Sequence, residues 1–113
     1  MPRPFFMPAM NTTADADAPL YLGLMSGTSA DGIDAALVQF PSSGGCRFVH
    51  GLTARWEPVL RARLVALGEG GPLDSLEELG ELDARIAINF AEAANQLLAE
   101  AGVDRSQVRA IGS

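Results

Sequence analysis

The stretch GLMSGTSADGID, Gly23 to Asp34, constrains this chain more than any other. It joins two apolar runs, LYLGLM (Leu20 to Met25) and GIDAALVQF (Gly32 to Phe40). So short a connection between extended segments leaves them antiparallel neighbours. The bend itself is crowded with small polar groups: glycines, two serines, a threonine and two aspartates. Backbone amides gathered in a tight turn form a nest for anions. Glycines let the main chain approach a phosphate and reach positive φ. Thr28 and Ser29 add hydroxyl donors. Asp31 and Asp34 would repel a phosphate directly, but they suit Mg2+ or its bound waters, which take hard oxygen ligands. The plain alternative is an ordinary turn. Gly, Ser and Asp are common turn formers, Asp31 suits an Asx turn, and Asp34 suits a solvated strand position.

The second run places Ile33, Ala35 and Leu37 on one face and Ala36, Val38 and Phe40 on the other. Both faces are mostly apolar, which predicts a sheet covered on both sides. PSSGG (Pro41 to Gly45) is a loop by composition. CRFVHGLTARW (Cys46 to Trp56) then reads as a third strand, with Phe48, Leu52 and Trp56 alternating against Arg47, Thr53 and Arg55. Three strands joined by short loops predict an antiparallel meander. Pro58 suits a first helical position, and Leu60, Leu64 and Leu67 form a helical stripe that GEGGP (Gly68 to Pro72) ends. Ser75 with Glu78 forms a capping box for a second helix. Its apolar face is Leu76, Leu79, Leu82, Ile86, Phe90, Ala94, Leu97 and Ala101, with Gly80 a point of bending or division and Gly102 at C′. VRAIGS (Val108 to Ser113) is a fourth strand, reached by a helical crossover and hence parallel to a neighbour. The order is β-β-β-α-α-β, an α/β arrangement. VRAIGS reads as a strand just beginning, so the expectation is that the chain is part of something longer.

Length and charge narrow the function classes. The 113 residues suffice for one small core. The net charge of −6 argues against a nucleic-acid or anionic-membrane surface, which needs clustered cations. All 8 basic residues are arginine, and without a lysine there is no Walker A loop. Cys46 is the only cysteine, so no internal disulfide forms, and a reducing cytoplasm fits. At a strand start it reads as a small buried hydrophobe. No apolar stretch approaches the roughly 18 residues of a membrane span. Residues 1–19 carry prolines at 2, 4 and 8 and read as a disordered tail, with Met7 or Met10 a candidate true start.

Other chemistries find less support. GLMSG and GTSADG both miss the G-x-S-x-G spacing of a serine nucleophile elbow. His50, the single histidine, lies mid-strand, where a packing or exposed role is expected. Arg55, Arg61, Arg63 and Arg85 read as solvated surface, with an anionic substrate group as the alternative.

YLGLMSGTSADGIDAALVQF, Tyr21 to Phe40, resembles the opening of the anhydro-N-acetylmuramic acid kinase family, closely so through GLMSGTSxDGID. From Cys46 to Ser113 the resemblance is weaker but consistent, and residues 1–19 have no counterpart. The resemblance implies a ribonuclease H-like lobe of the actin/Hsp70/sugar-kinase superfamily, with residues 20–113 the N-terminal part of a first ATPase-like lobe. It implies ATP and Mg2+ as cofactors. The nucleotide-binding set would be Gly27, Thr28, Ser29, Ala30, Asp31, Gly32, Ile33 and Asp34, with Asp31 reaching the metal through water. Ala30 stands where the family pattern varies. The implied reaction is ATP-dependent hydrolytic opening and phosphorylation of 1,6-anhydro-N-acetylmuramic acid, in cytoplasmic peptidoglycan recycling. The family's catalytic aspartate lies well downstream, so no catalytic residue is assigned here. A small sugar and ATP are the expected partners, and the family tends toward dimers. The rival is a stand-alone module that binds nucleotide phosphates without catalysis.

Overall fold

Pairing between the first two apolar runs sets the frame. A computed structural model describes residues 18–27 and 30–113 of the chain. β1 (Leu20–Ser26) and β2 (Ile33–Gln39) pair antiparallel without interruption, from Leu20 opposite Gln39 to Ser26 opposite Ile33. β3 (Arg47–Ala54) extends the meander along β2. β4 (Val108–Gly112) joins the other side of β1 and runs parallel to it, giving the order β3-β2-β1-β4. The α/β class, the meander and the parallel fourth strand are those expected from the sequence. The tail expected over residues 1–19 lies outside the described residues, apart from its last two positions.

Strand alternation then selects the core. Leu20, Leu22 and Leu24 from β1 and Ile33, Ala35 and Leu37 from β2 are buried in one cluster with residues from both helices. The opposite residues are more open: Met25 is 60% exposed, and Tyr21, Ala36 and Val38 are only partly buried. Among the described residues both helices pack on the same side of the sheet, so the cover expected on its other face is not found there.

A bulge corrects the reading of β3. Leu37 faces His50, but Val38 faces Phe48, so Val49 is an extra residue on the β3 side. The slip reverses the alternation. Leu52 and Ala54 lean on the core, whereas Phe48 is turned outward and is 66% exposed. The strand stops at Ala54, so Trp56 reaches the core from the connection that follows. Cys46, expected to be buried, is exposed just before β3.

Helix α1 (Pro58–Gly68) starts with Pro58 in its first turn, and the Glu57 carboxylate caps it by accepting from the Val59 and Leu60 amides. Leu60 is fully buried, with Leu64 and Leu67 packed beside the core. Helix α2 (Leu76–Ala101) is continuous for 26 residues, so Gly80 does not divide it. Ser75 Oγ accepts from the Glu78 amide at 3.1 Å, as a capping serine should. Glu78, however, accepts from the Asp74 amide (2.9 Å) and from Arg63 Nη2 (2.6 Å), rather than completing the box on Ser75. At the other end Gly102 has φ 68, its amide donating to Ala99 and that of Val103 to Leu98. That is the paired closure of a Schellman motif.

The apolar face of α2 is shorter than expected. Leu76 and Leu79 are 80% and 49% exposed, and burial begins at Leu82. Length explains it: the helix runs about 39 Å, against about 23 Å for a seven-residue strand.

Arg63 and Glu78 tie the two helices together across a partly buried contact. The Arg63 hydrogen bond, then the Asp74 amide, hold the Glu78 carboxyl down at about 2. A group depressed on folding stabilises above its unfolded pKa and loses that contribution as pH falls through its folded one. The stabilisation is thus expected to be complete above about 4.3 and lost toward pH 2. In urea titrations across that window, Glu78→Gln should flatten the acid-side decline. An unchanged slope would remove this pair from the acid response.

Candidate functional site

β1 ends at Ser26 and β2 begins at Ile33, so the bend occupies residues 27–32. Thr28 and Ser29 lie outside the described residues. The Ala30 amide donates to the Gly27 carbonyl at 3.0 Å, closing the turn. Ala30 has φ 52 and is the one positive-φ residue other than glycine among those described. An L side chain in that region costs on the order of 1 kcal/mol. The sequence suggests that glycines take the positive φ of this bend, yet an alanine does so.

Two long-range contacts hold the bend. At its start, Trp56 Nε1 donates to Ser26 Oγ at 3.1 Å, while the ring packs 5.8 Å from that of Phe90. At its end, Arg61 of α1 donates through Nε to the Ala30 carbonyl (2.9 Å) and through Nη2 to Asp31 Oδ1 (3.4 Å). Neither contact was foreseen in the sequence. A topological signal does exist: Ala54 faces Ile33, so the meander returns the chain to the bend just before Trp56 and α1.

The two bend glycines have different reasons to be glycine. A Cβ on Gly32 would lie 2.8 Å from Thr53 Cγ2 and 3.0 Å from the Ala54 carbonyl oxygen, so β3 itself demands the missing side chain. A Cβ on Gly27 would meet no described atom within 4 Å. Gly27 therefore leaves open main chain on a flank that packing does not require to be bare.

The remaining candidates divide. Ile33 is fully buried, so it offers a ligand only its main chain. Asp34 lies on the uncovered sheet face and accepts from Thr53 Oγ1 at 2.6 Å. It lines an open hollow of about 580 Å³ with Gly23, Met25, Ala36, Gly112 and Ser113. This hollow and the bend sit toward the carboxyl ends of parallel strands β1 and β4, where α/β sheets bind ligands. A second hollow, about 530 Å³, separates α2 from β4 and is lined by Leu22, Ala94, Leu98, Val108 and Ile111 among others.

Among the described residues, no three His, Cys, Asp or Glu side chains stand together as a metal cage. The Asp31 carboxylate is 80% exposed beside Arg61. That donor suits Mg2+, which keeps several waters and needs only one or two carboxylates when phosphates supply other oxygens.

Three of the arginines read as solvated surface are in fact engaged: Arg61 on the bend, Arg63 on Glu78, and Arg85 on Glu57, whose amide donates to Asn89 Oδ1. His50 Nε2 lies 2.9 Å from Glu100 Oε1 and links β3 to α2. Ser26 Oγ is thus met by a tryptophan N–H rather than by a base.

Comparison with known proteins adds an independent finding. The family model described as anhydro-N-acetylmuramic acid kinase matches residues 19–113. A curated protein of that name from Xanthomonas campestris pv. campestris (strain 8004) is 58% identical over 106 residues, which is 92% of this chain and 28% of the relative. One from Xanthomonas axonopodis pv. citri is 59% identical over 99 residues, 86% of this chain and 26% of the relative. A more distant one, from Legionella pneumophila (strain Philadelphia 1), is 45% identical over 94 residues, 83% of this chain and 25% of the relative. The chain thus spans between a quarter and a third of the length of these relatives.

Proposed function

Because the chain belongs to the anhydro-N-acetylmuramic acid kinase family, we propose that it supplies the phosphate-binding hairpin of an ATP-dependent sugar kinase. The whole protein would convert 1,6-anhydro-N-acetylmuramic acid, ATP and water into N-acetylmuramic acid 6-phosphate and ADP. Water adds to the anomeric carbon as the bond from that carbon to O6 breaks. O6 takes the γ-phosphoryl group, and cleavage of the bridging P–O bond releases ADP. Cytoplasmic peptidoglycan recycling is the setting this reading implies. Residues 20–113 would be the N-terminal part of a ribonuclease H-like first lobe.

One observation carries this reading: in a chain of this family, the bend leaves open main chain at Gly27 beside the carboxyl end of β1. Gly27 to Asp34 would surround the polyphosphate, chiefly through main-chain groups. Asp31 would reach Mg2+ through water, the ion supplying charge neutralisation on the phosphates. Positioning and charge stabilisation dominate phosphoryl transfer. The base that takes the proton from water is assigned to no residue here, since Asp34 is held by Thr53 on the sheet.

A chimera provides the test. Residues 19–113 replace the matched segment of the Xanthomonas campestris relative, and ADP release is followed with and without the anhydro sugar. Sugar-dependent ADP release with a 6-phosphate product is expected, and none from the 113-residue chain alone. A folded chimera that fails to turn over would contradict the kinase reading. Turnover by the chain alone would place the missing base within it.

A further inference from the structure

We propose that Arg61 is a positioning residue for the bend, acting through the Ala30 carbonyl to aim the peptide that follows it. This rests on the nucleotide reading for its use but not for its geometry. The Ala30–Asp31 peptide is trans, since no described peptide bond is cis. In a trans peptide the carbonyl and the next amide point in opposite directions. Arg61 Nε holds the Ala30 carbonyl toward α1 at 2.9 Å, so the Asp31 N–H is directed away from that helix. Nη2, at 3.4 Å from Asp31 Oδ1, places the same guanidinium beside the side chain that follows.

Three features make this more than a surface ion pair. Ala30 sits at φ 52, a conformation an alanine leaves unless its surroundings hold it. Arg61 lies one residue after Leu60, which is fully buried, so the stem of the clamp starts from a fixed point. The carbonyl contact is a charge-assisted hydrogen bond, stronger than a neutral one. Arg61 thus presets the bend before any anion arrives, and the cost of ordering is not charged to binding.

The test compares the 113-residue chain with Arg61→Ala and Arg61→Lys by amide hydrogen exchange. Exchange at Ala30, whose amide donates to the Gly27 carbonyl, should rise about tenfold or more in Arg61→Ala. The amides of Leu22 and Leu37 and the urea midpoint should not change. Lysine can still reach the carbonyl and should restore most of the protection. Unchanged exchange at the bend would overturn the proposal. So would a parallel rise everywhere, which would make Arg61 a general packing residue. Phosphorus NMR line broadening of Mg·ATP and of inorganic tripolyphosphate separates the two readings. If neither ligand broadens with the wild-type chain while exchange still rises only at the bend, the clamp stands and the nucleotide reading fails. If both broaden equally with wild type and Arg61→Ala, and exchange is unchanged, the clamp fails and the nucleotide reading stands.

Discussion

Gly27→Val should cost the chimeric kinase about 100-fold or more in ADP release while leaving the chain folded. A Cβ there meets no described atom within 4 Å. The unfolding free energy should therefore change by no more than about 0.5 kcal/mol, as for an ordinary surface change. The same side chain would occupy the space a phosphate needs in order to reach main-chain amides. Two hydrogen bonds to a charged group are together worth about 3 kcal/mol or more, and about 1.4 kcal/mol is tenfold in rate. Gly32→Ala is the contrast. Its Cβ would press on Thr53 Cγ2 at 2.8 Å and on the Ala54 carbonyl oxygen at 3.0 Å, so β3 must move. A loss of about 1–3 kcal/mol of stability is expected. Paired urea melts and turnover assays distinguish the two. If Gly27→Val lost stability and turnover together, the bend would be a turn and nothing more.

Leu97→Ala should come close to unfolding the chain. Leu97 is fully buried and sits in the same cluster as Leu22, Ile33, Leu37 and Leu60, which come from β1, β2 and α1. Truncation removes contacts with several elements at once, and among the described residues both helices already pack into this one cluster. The typical cost is about 2–5 kcal/mol, set against a domain stability of about 5–15 kcal/mol. With one sheet face largely open among the described residues, the lower end of that range is the fair comparison. Leu97→Met, which keeps the volume, should lose less than about 1.5 kcal/mol. Helical circular dichroism during urea titration reads both. A loss under about 1 kcal/mol for the alanine variant would show that the core relaxes around Leu97.

Sequence made the local signals legible. Pro58, Ser75 and Gly102 each act on the turn of helix beside them, and each is found at its expected end. The first hairpin was equally clear, because a short polar bend between apolar runs admits one pairing. What the sequence hid depends on distance in the chain or on one-residue slips. The bulge at Val49 exchanges inside for outside, so Phe48 reads as core and is exposed. Leu76 and Leu79 fit the helical period but lie on a helix longer than its sheet. Arg61 and Trp56 reach the bend from about 30 residues away in sequence. No spacing rule announces such convergence, although the return of the meander at Ala54 brings them near. The glycines of the bend were visible as a group, but only the clearance around each shows that Gly32 serves β3 and Gly27 does not.

The most direct measurement follows the backbone amides of the 113-residue chain by NMR as Mg·ATP is added, with AMP as the control. Shifts concentrated between Gly27 and Asp34, produced by ATP and not by AMP, are the expected result. Shifts confined to the hollow between α2 and β4, or equal responses to both nucleotides, would contradict a bend built to hold the phosphates.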